Sequence, residues 1–311
     1  RHTPDPNTWV QLLQDLMNEV LYLDEFPVCS PLTAPDTPKK IVFELSEDLM
    51  EGVNDAMKKY QKLVGLIDHS ASVIYDVGIK QSEQWGCKPE TALSLAIQLA
   101  HYHLCGEVMP AAIRVSQRHF FNASEDLLSL NRPYIHKVMK VMAQLDSIAD
   151  DPTRHSECQR AFMSALRAAA TALEKDQLAA HDNAEGLESL LKSMGEHCMR
   201  QVAADPSMEP PKLFNDPFYR RNSKWKLLLA NASAYARPSM PMKNFNAFGV
   251  GLVNDPAENS FHVSFLVQEF HTVLGVTSHV EPGPCTSHHS SAKVVAAIKE
   301  MLGLVINVVS H

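Results

Sequence analysis

The stretch KPETALSLAIQLAHYHLCG, residues 88–106, predicts a long helix. Pro89 stands near its start, where a missing N–H costs no hydrogen bond, and Gly106 supplies the left-handed residue that ends many helices. On either side of this helix, further helical stretches alternate with short apolar runs that are typical of strands. These runs are KIVFEL at 40–45, SVIYDV at 72–77, WKLLLA at 225–230, AFGVGLV at 247–253 and FHVSFLV at 261–267. Strands mixed with long helices predict the α/β class, with a mixed β-sheet covered by helices.

Helical periodicity accounts for most of the remaining chain. A first amphipathic helix is predicted between Trp9 and Val20, and a second follows Ser46, which is a favourable cap residue. Further helices are predicted at 124–129, 132–147, 154–180, 185–203 and from about Ser290 to Val309. The Pro-rich stretch at 204–223 is predicted to be irregular.

Composition excludes several classes of partner. The 311 residues carry 28 Lys and Arg against 36 Asp and Glu, a net charge of -8 that argues against a nucleic-acid-binding protein. The six scattered cysteines form no CxxC pair and indicate free thiols in a reducing compartment, so an intracellular location is expected. The sequence contains no run of about 18 apolar residues, so no membrane-spanning helix is predicted.

Four local strings resemble the carnitine/choline acyltransferase family. PKKIVFELSEDL at 38–49 is similar to that family's entry into its second domain, and residues 88–106 resemble its SPDAxxQxALQLAYYxxxG helix. KLFNDPFY at 212–219 resembles PELFxDPxY, and AFGVGLVNDPAEN at 247–259 resembles GYGVCYNPxPE. The resemblance implies the second domain of a two-domain, CoA-dependent acyltransferase-like fold. Residues 1–39 would be the tail of the N-terminal catalytic domain, residues 40–311 the C-terminal domain, and the missing N-terminal half would be a partner.

The resemblance also implies a catalytic base at the start of the chain. The family's catalytic His lies in an EHxxxDG segment, and RHTPDPN at 1–7 aligns with it so that His2 takes the catalytic position. The acidic residue of the segment falls on Pro6, and Asp5, one residue earlier, is the candidate orienting carboxylate. One imidazole can serve as general base for either the acceptor hydroxyl or the CoA thiol.

The acyl-donor site implied by the resemblance is only partly retained. The family's two lysines that meet the nucleotide phosphates fall on Ile79 and Glu83. Lys80 is displaced by one residue, Lys88 is nearby, and Glu90 matches an Asp at the helix start. Asn231 falls where the family has a Gln near CoA. These four residues, Lys80, Lys88, Glu90 and Asn231, are the candidate donor-binding set.

The acceptor site implied by the resemblance is altered more strongly. The family's Tyr falls on Ala112, with Arg114 in the same string, and its Thr falls on Glu125. The Arg that binds the carnitine carboxylate falls on Gly186. The Ser-Thr-Ser string falls on residues 228–230, which read Leu-Leu-Ala, and a short gap would bring Asn231 or Ser233 into that region. Ala112, Arg114, Glu125 and Ser233 are therefore the candidate acceptor-binding residues.

Two functions stay open from the sequence. The first is an O-acyltransferase that moves an acyl group between a CoA or pantetheine thioester and an alcohol, with acyl-CoA or an acyl carrier protein as partner. Related domains at the ends of fungal highly reducing polyketide synthases transfer carrier-bound acyl groups to alcohols, which would fit the altered sites. The second is a non-catalytic relative used for packing or partner binding. No covalently bound cofactor is expected, and His101 and His103, two positions apart, predict no shared metal site.

Overall fold

The described part of this computed structural model comprises residues 46–116, 125–147, 152–183, 187–205, 208–209, 211–222, 225–235, 260–279 and 289–310. The chain divides into two compact units, residues 1–67 and 68–311. The described part of the first unit is essentially one helix, α1 (Glu47–Val64), whose first turn is capped as predicted by the Ser46 hydroxyl, 3.4 Å from the Leu49 amide. The predicted domain boundary after residue 39 lies outside the described residues.

The second unit is built on a six-stranded sheet. Its strands are β1 (Ile67–Tyr75), β2 (Ala111–Ser116), β3 (Glu125–Ser129), β4 (Leu227–Asn231), β5 (Phe261–Val267) and β6 (His271–His279). They lie in the order β1-β6-β5-β4-β2-β3. The β2–β4 and β4–β5 pairs are parallel, whereas β2–β3 and β5–β6 are antiparallel. The sheet is mixed, which confirms the predicted α/β class.

Helices cover this sheet. The long ones are α3 (Pro89–Cys105), α4 (Pro133–Ser147), α5 (Pro152–Asn183), α6 (Leu187–Ala204) and α9 (Ser291–Val309). Single-turn and two-turn helices are α2 (Ile79–Ser82), α7 (Lys212–Asn215) and α8 (Pro217–Asn222), and a 3-10 turn spans Ala232–Tyr235. The helix predicted at 88–106 is present as α3, with Pro89 in its first turn and Gly106 at φ 71° as its left-handed cap.

Helices α3 and α9 pack on one side of the sheet, which we call the first face. Phe261, Val263, Leu227, Leu229 and Ile113 point to this side, and all five belong to one continuous hydrophobic core with α3, α4, α5 and α9. Because successive strand residues point to opposite sides, the intervening residues lie on the opposite, second face.

Three sequence predictions differ from the structure. Residues 124–129 were predicted as a helix, but 125–129 form strand β3, because pairing with β2 overrides a weak local helical pattern. Strands β2 and β6 were not predicted. The Pro-rich 204–223 stretch contains α7 and α8 rather than being wholly irregular.

The predicted strands at 40–45 and 247–253 and the helix at 9–20 lie outside the described residues.

Candidate functional site

The second face of the sheet brings together positions from β2, β4 and β5. Ala112 pairs with Leu228, which in turn pairs with His262, and Arg114 pairs with Ala230, which pairs with Ser264. Two rows of side chains therefore cross three strands at adjacent levels. The first row is Ala112–Leu228–His262 and the second is Arg114–Ala230–Ser264.

Three of the four predicted acceptor residues belong to neighbouring strands at this place. Ala112 is fully buried, and Arg114 is half-buried beside it on β2. The backbone of Glu125 pairs with that of Ser116 at the end of the β2–β3 ladder. The sheet register thus places Ala112, Arg114 and the Glu125 backbone within one hairpin, although they are up to 13 positions apart in sequence.

Asn231 and Ser233 shape the turn that follows β4. The Asn231 side-chain oxygen accepts a hydrogen bond from the Ser233 amide at 3.0 Å. The Ser233 hydroxyl oxygen accepts one from the Val267 amide at 2.7 Å, at the end of β5. Both side chains are half-buried and hold local structure, so Ser233 retains only its hydroxyl hydrogen as a donor toward a substrate.

The sequence analysis did not identify His262 as a site residue. Its side chain is only 4% exposed, and its Nδ1 atom has no hydrogen-bond partner among the described residues. Burial, followed by the positive charge of Arg114, lowers the pKa of His262 from 6.5 to about 4. The imidazole is therefore neutral at physiological pH. The available sequence signal was its place in FHVSFLV, where it faces away from Phe261 and Val263.

Three of the four predicted donor residues, Lys80, Lys88 and Glu90, lie elsewhere, around the start of α3. Lys88 and Glu90 line an open cavity of about 640 Å³ together with the α2–α3 loop and Glu174 of α5. The Glu174 carboxylate accepts hydrogen bonds from the Lys88 amide at 2.5 Å and the Thr91 hydroxyl at 3.3 Å. A carboxylate of the chain itself thus takes the place where the N-terminus of α3 would receive an anion.

Further negative charge surrounds this cavity. Glu83 lines it and binds the Lys80 ammonium at 3.0 Å, while Lys80 does not line it. Burial raises the pKa of Glu90, and Glu174 adds to the effect. Burial likewise raises the pKa of the Cys87 thiol to about 11. With three carboxylates and one lysine in its lining, the cavity does not fit the nucleotide phosphates of CoA.

The described residues offer few other candidates for catalytic or metal-binding side chains. His2 and Asp5 lie outside them. His101 is buried against Phe261 and His103 is exposed, so the two rings point to different sides of α3, as predicted. Across the described segments no group of three His, Cys, Asp or Glu side chains could hold a metal ion. None of the described helices is both long and apolar enough to cross a membrane.

Comparison with known proteins places these observations in a family. Choline O-acetyltransferase from Sus scrofa is 23% identical over 192 residues, which cover 61% of this chain and 28% of that protein. Carnitine O-acetyltransferase YAT2 from Saccharomyces cerevisiae is 24% identical over 252 residues, covering 78% of this chain and 25% of that protein. The chain therefore spans about a quarter of the length of these relatives. Among solved structures, PapA2 acyl transferase superposes with a TM-score of 0.40 and 12% identity, covering 97% of this chain and 63% of that one.

The match to a family covers more of the chain than the alignment with either of these relatives does. The family described as Choline/Carnitine o-acyltransferase matches residues 2–300, which is nearly the whole chain. This range includes His2, the hairpin of β2 and β3, the α3 cavity and the β4–β5 pair. On that continuous match, the chain belongs to the choline/carnitine O-acyltransferase family.

Proposed function

We propose that this chain is the C-terminal part of an O-acyltransferase that transfers an acyl group from a pantetheine thioester to an alcohol, with His2 as the general base. The family match over residues 2–300 is the observation that carries the proposal, because it begins at His2 of the RHTPDPN segment. Asp5 would orient the His2 imidazole. Residues 1–39 would complete the N-terminal catalytic domain, and the acceptor would lie near β2 and β4 of the C-terminal one.

The proposed reaction needs one base and no covalent enzyme intermediate. The His2 imidazole takes the proton of the acceptor hydroxyl, and the alcohol oxygen attacks the thioester carbonyl carbon. The carbon–sulfur bond then breaks, and the leaving thiolate takes the proton back from the imidazolium. A positioned general base of this kind contributes about 10² to 10⁴ in rate.

The α3 cavity supports a donor whose nucleotide contributes little to binding. Glu174 occupies the start of α3, and Glu83 holds Lys80. We therefore propose a pantetheine thioester donor, carried by an acyl carrier protein or by CoA, for which the adenosine phosphates add little affinity. This agrees with a polyketide synthase type of release domain, in which the acyl group arrives on a carrier and leaves on an alcohol or polyol.

A second candidate function is a non-catalytic domain. Leu228, Leu229 and Ala230 stand where the family has Ser-Thr-Ser, and Leu229 is fully buried in the core of the first face. Those positions offer no hydroxyl to a reacting carbonyl, and losing one such donor typically costs about 10² to 10³ in rate. A domain that retained the fold for packing or partner binding would show the same replacements.

One experiment separates these functions. In the full-length protein, transfer from acetyl-CoA and from acetyl-pantetheine to a panel of alcohols would be compared for wild type, His2→Ala and the control His103→Ala, an exposed His on α3. We expect His2→Ala to lower kcat by about 10² to 10⁴ and His103→Ala to change nothing. We also expect the KM values of the two donors to agree within about tenfold, roughly 1.4 kcal/mol.

Each other outcome has a definite meaning. Equal rates for wild type and His2→Ala would refute the base assignment. A KM for acetyl-CoA about a hundredfold below that for acetyl-pantetheine would refute the donor assignment, because the nucleotide would then contribute about 2.7 kcal/mol. Absence of turnover by the wild-type protein with every acceptor would favour the non-catalytic alternative.

A further inference from the structure

Helix α1 presents a continuous row of apolar side chains to solvent. Because a helix turns once in 3.6 residues, side chains three and four positions apart lie on the same side of it. Five large apolar side chains of α1, each between 44% and 68% exposed, lie in this way on one side, and we call them the α1 stripe. They are Met50, Val53, Met57, Tyr60 and Val64. A contiguous exposed apolar surface of this kind is typical of an interaction site.

The spacing of the α1 stripe indicates that its partner is another helix. Its members follow one another at intervals of three, four, three and four residues, and the exposed Leu49 borders its start. This is the a and d pattern through which two helices pack side by side, with the side chains of one inserted between those of the other. The α1 stripe covers about two heptads of that pattern.

The charged side of α1 argues against a membrane surface as the partner. Its charged residues lie opposite the α1 stripe, and four are acidic whereas three are basic. They are Glu47, Asp48, Glu51 and Asp55, followed by Lys58, Lys59 and Lys62. A helix that lies on a membrane carries mainly lysine and arginine on its polar side. A protein helix therefore fits α1 better than an anionic lipid surface does.

The sign of the charge reverses along α1. All four acidic residues lie in its first half and all three lysines lie in its second half. The helix dipole favours such charges only within the first and last turns. Glu51, Asp55, Lys58 and Lys59 lie between those turns, so the dipole does not account for them. A partner with the opposite order of charges would complement this pattern, and a second α1 in antiparallel orientation has that order.

An antiparallel pair brings both patterns together in one register. When Val53 is level with Met57 of a second copy, Glu51 is level with Lys59 and Asp48 is level with Lys62. The helix is about 27 Å long, whereas charges are screened within about 8 Å at physiological salt. Each half of α1 therefore interacts mainly with the half beside it, and a parallel pair would place like charges together. We propose that two copies of this chain associate through their α1 stripes in antiparallel orientation.

The two patterns contribute differently to this association. Burial of the α1 stripe supplies the affinity, while the charges beside it select the orientation. One helix from each copy makes a small interface, so we expect a reversible dimer with a Kd of about 1–100 µM. The association does not depend on the proposed acyl transfer, and it can be measured without turnover.

Sedimentation equilibrium of the full chain, at concentrations that span this range, measures the Kd. Met57→Gln places a polar group of similar length in the α1 stripe and should raise the Kd at least about tenfold. The matched control is Lys58→Gln, the next residue, on the charged side of α1. Lys58 pairs only with Asp55 of its own helix at 3.6 Å, and this exposed pair contributes little, so the Kd should change less than about threefold. Circular dichroism confirms that both variants keep their helix content.

A charge exchange tests the orientation. Lys62→Glu should raise the Kd about threefold, because it places two acidic residues at the same level of an antiparallel pair. Adding Asp48→Lys restores opposite charges at that level, so the double variant should return to within about twofold of the wild-type Kd. In a parallel pair the double variant would still place like charges together at both levels, and its Kd would stay raised.

Several results would overturn the proposal. A wild-type chain that remains monomeric at about 1 mM, ten times the upper end of the expected Kd, would refute association through α1. A dimer that Met57→Gln leaves unchanged would show that another surface holds the copies together. A double variant no tighter than Lys62→Glu would refute the antiparallel orientation. Binding of the monomer to vesicles of anionic lipid, lost in Met57→Gln, would assign the α1 stripe to a membrane instead of a second copy.

Discussion

The two faces of the sheet are built from the same strands but differ in chemistry. On the first face, side chains such as Leu229, Val263 and Phe265 join helices α3 and α9 in one large apolar core. On the second face, the same strands present His262, Ser264 and Arg114, and its described hydrophobic cluster contains only Leu266 and Val273 with Ala232 beside them. Both sets of strand residues are largely buried, so burial alone does not distinguish the faces.

The two faces are therefore expected to contribute differently, one to stability and the other to function. A continuous apolar cluster stabilises the fold through contacts that any close-packed replacement would supply. A buried polar atom without a hydrogen bond costs free energy, and Nδ1 of His262 on the second face has no hydrogen-bond partner among the described residues. A ligand that forms a hydrogen bond with such an atom removes this cost, which makes binding more favourable. The first face therefore should govern unfolding, and the second should govern recognition.

The largest expected effect comes from adjacent leucines on the two faces. Leu229 is fully buried in the first-face core, and Leu228, 8% exposed, lies on the second face outside that cluster. We expect Leu229→Ala to lower the free energy of unfolding by about 3–5 kcal/mol, because it leaves a cavity among packed neighbours. Leu228→Ala should cost at least about 1 kcal/mol less. Urea unfolding of both variants measures the difference, and equal losses would contradict the division between the faces.

A smaller effect should appear as pH dependence of stability. His262 has a pKa of about 4 in the folded protein against 6.5 unfolded. Since the unfolded chain binds the proton more readily, the stabilisation is complete above pH 6.5 and is lost as the pH falls toward 4. Between pH 7.5 and pH 5 this single group should remove about 2 kcal/mol.

The control for this prediction is His262→Asn, which cannot titrate. Urea unfolding in buffers free of carboxylates should show a pH slope in the wild type that is steeper than in the variant over this range. Parallel slopes would mean that the ring is not desolvated in the folded state, and would weaken the contrast between the faces.

Much of this fold could be predicted from sequence periodicity. FHVSFLV coincides with β5, and the helices at 133–147, 152–183 and 187–204 lie within a few residues of their predicted ranges. The structure of a long element with a repeated apolar pattern can be predicted from its own sequence, because helices and strands repeat that pattern with different periods. The short strand β3 does not, because its five residues become a strand only through pairing with β2. Strand β6 carried a readable signal in its β-branched residues Thr272, Val273, Val276 and Thr277, although Gly275 interrupts it.

The candidate site was less predictable because it depends on distant contacts. Glu174 meets the Lys88 amide across 86 positions of sequence, and no local pattern marks that carboxylate. His262 is one of 15 histidines, and only the register of β5 against β4 and β2 places it on the same face as Arg114. Residue types indicated the chemistry that was available, whereas the parallel pairing determined which groups share a surface.

The smallest expected effect concerns the helix that covers only the first face. The Ser290 hydroxyl oxygen accepts a hydrogen bond from the Lys293 amide at 3.3 Å and caps α9. Asp68 also contributes, since its carboxylate accepts one from the Ser291 amide at 2.7 Å. Ser290→Ala should therefore cost about 1 kcal/mol, because the second cap remains and only one amide loses its partner.

Hydrogen exchange would show where this loss falls. The amides in the first turn of α9 should exchange faster in Ser290→Ala, while those of β4 and β5 should keep the protection that global unfolding allows. Lys299→Ala, an exposed change within the same helix, is the control and should leave both unchanged. A pH slope of stability in Ser290→Ala equal to that of the wild type would show that the first face can be loosened at its edge without disturbing the surroundings of His262 on the second. A shallower slope would show that the two faces act as one unit, and the separation of roles between them would have to be abandoned.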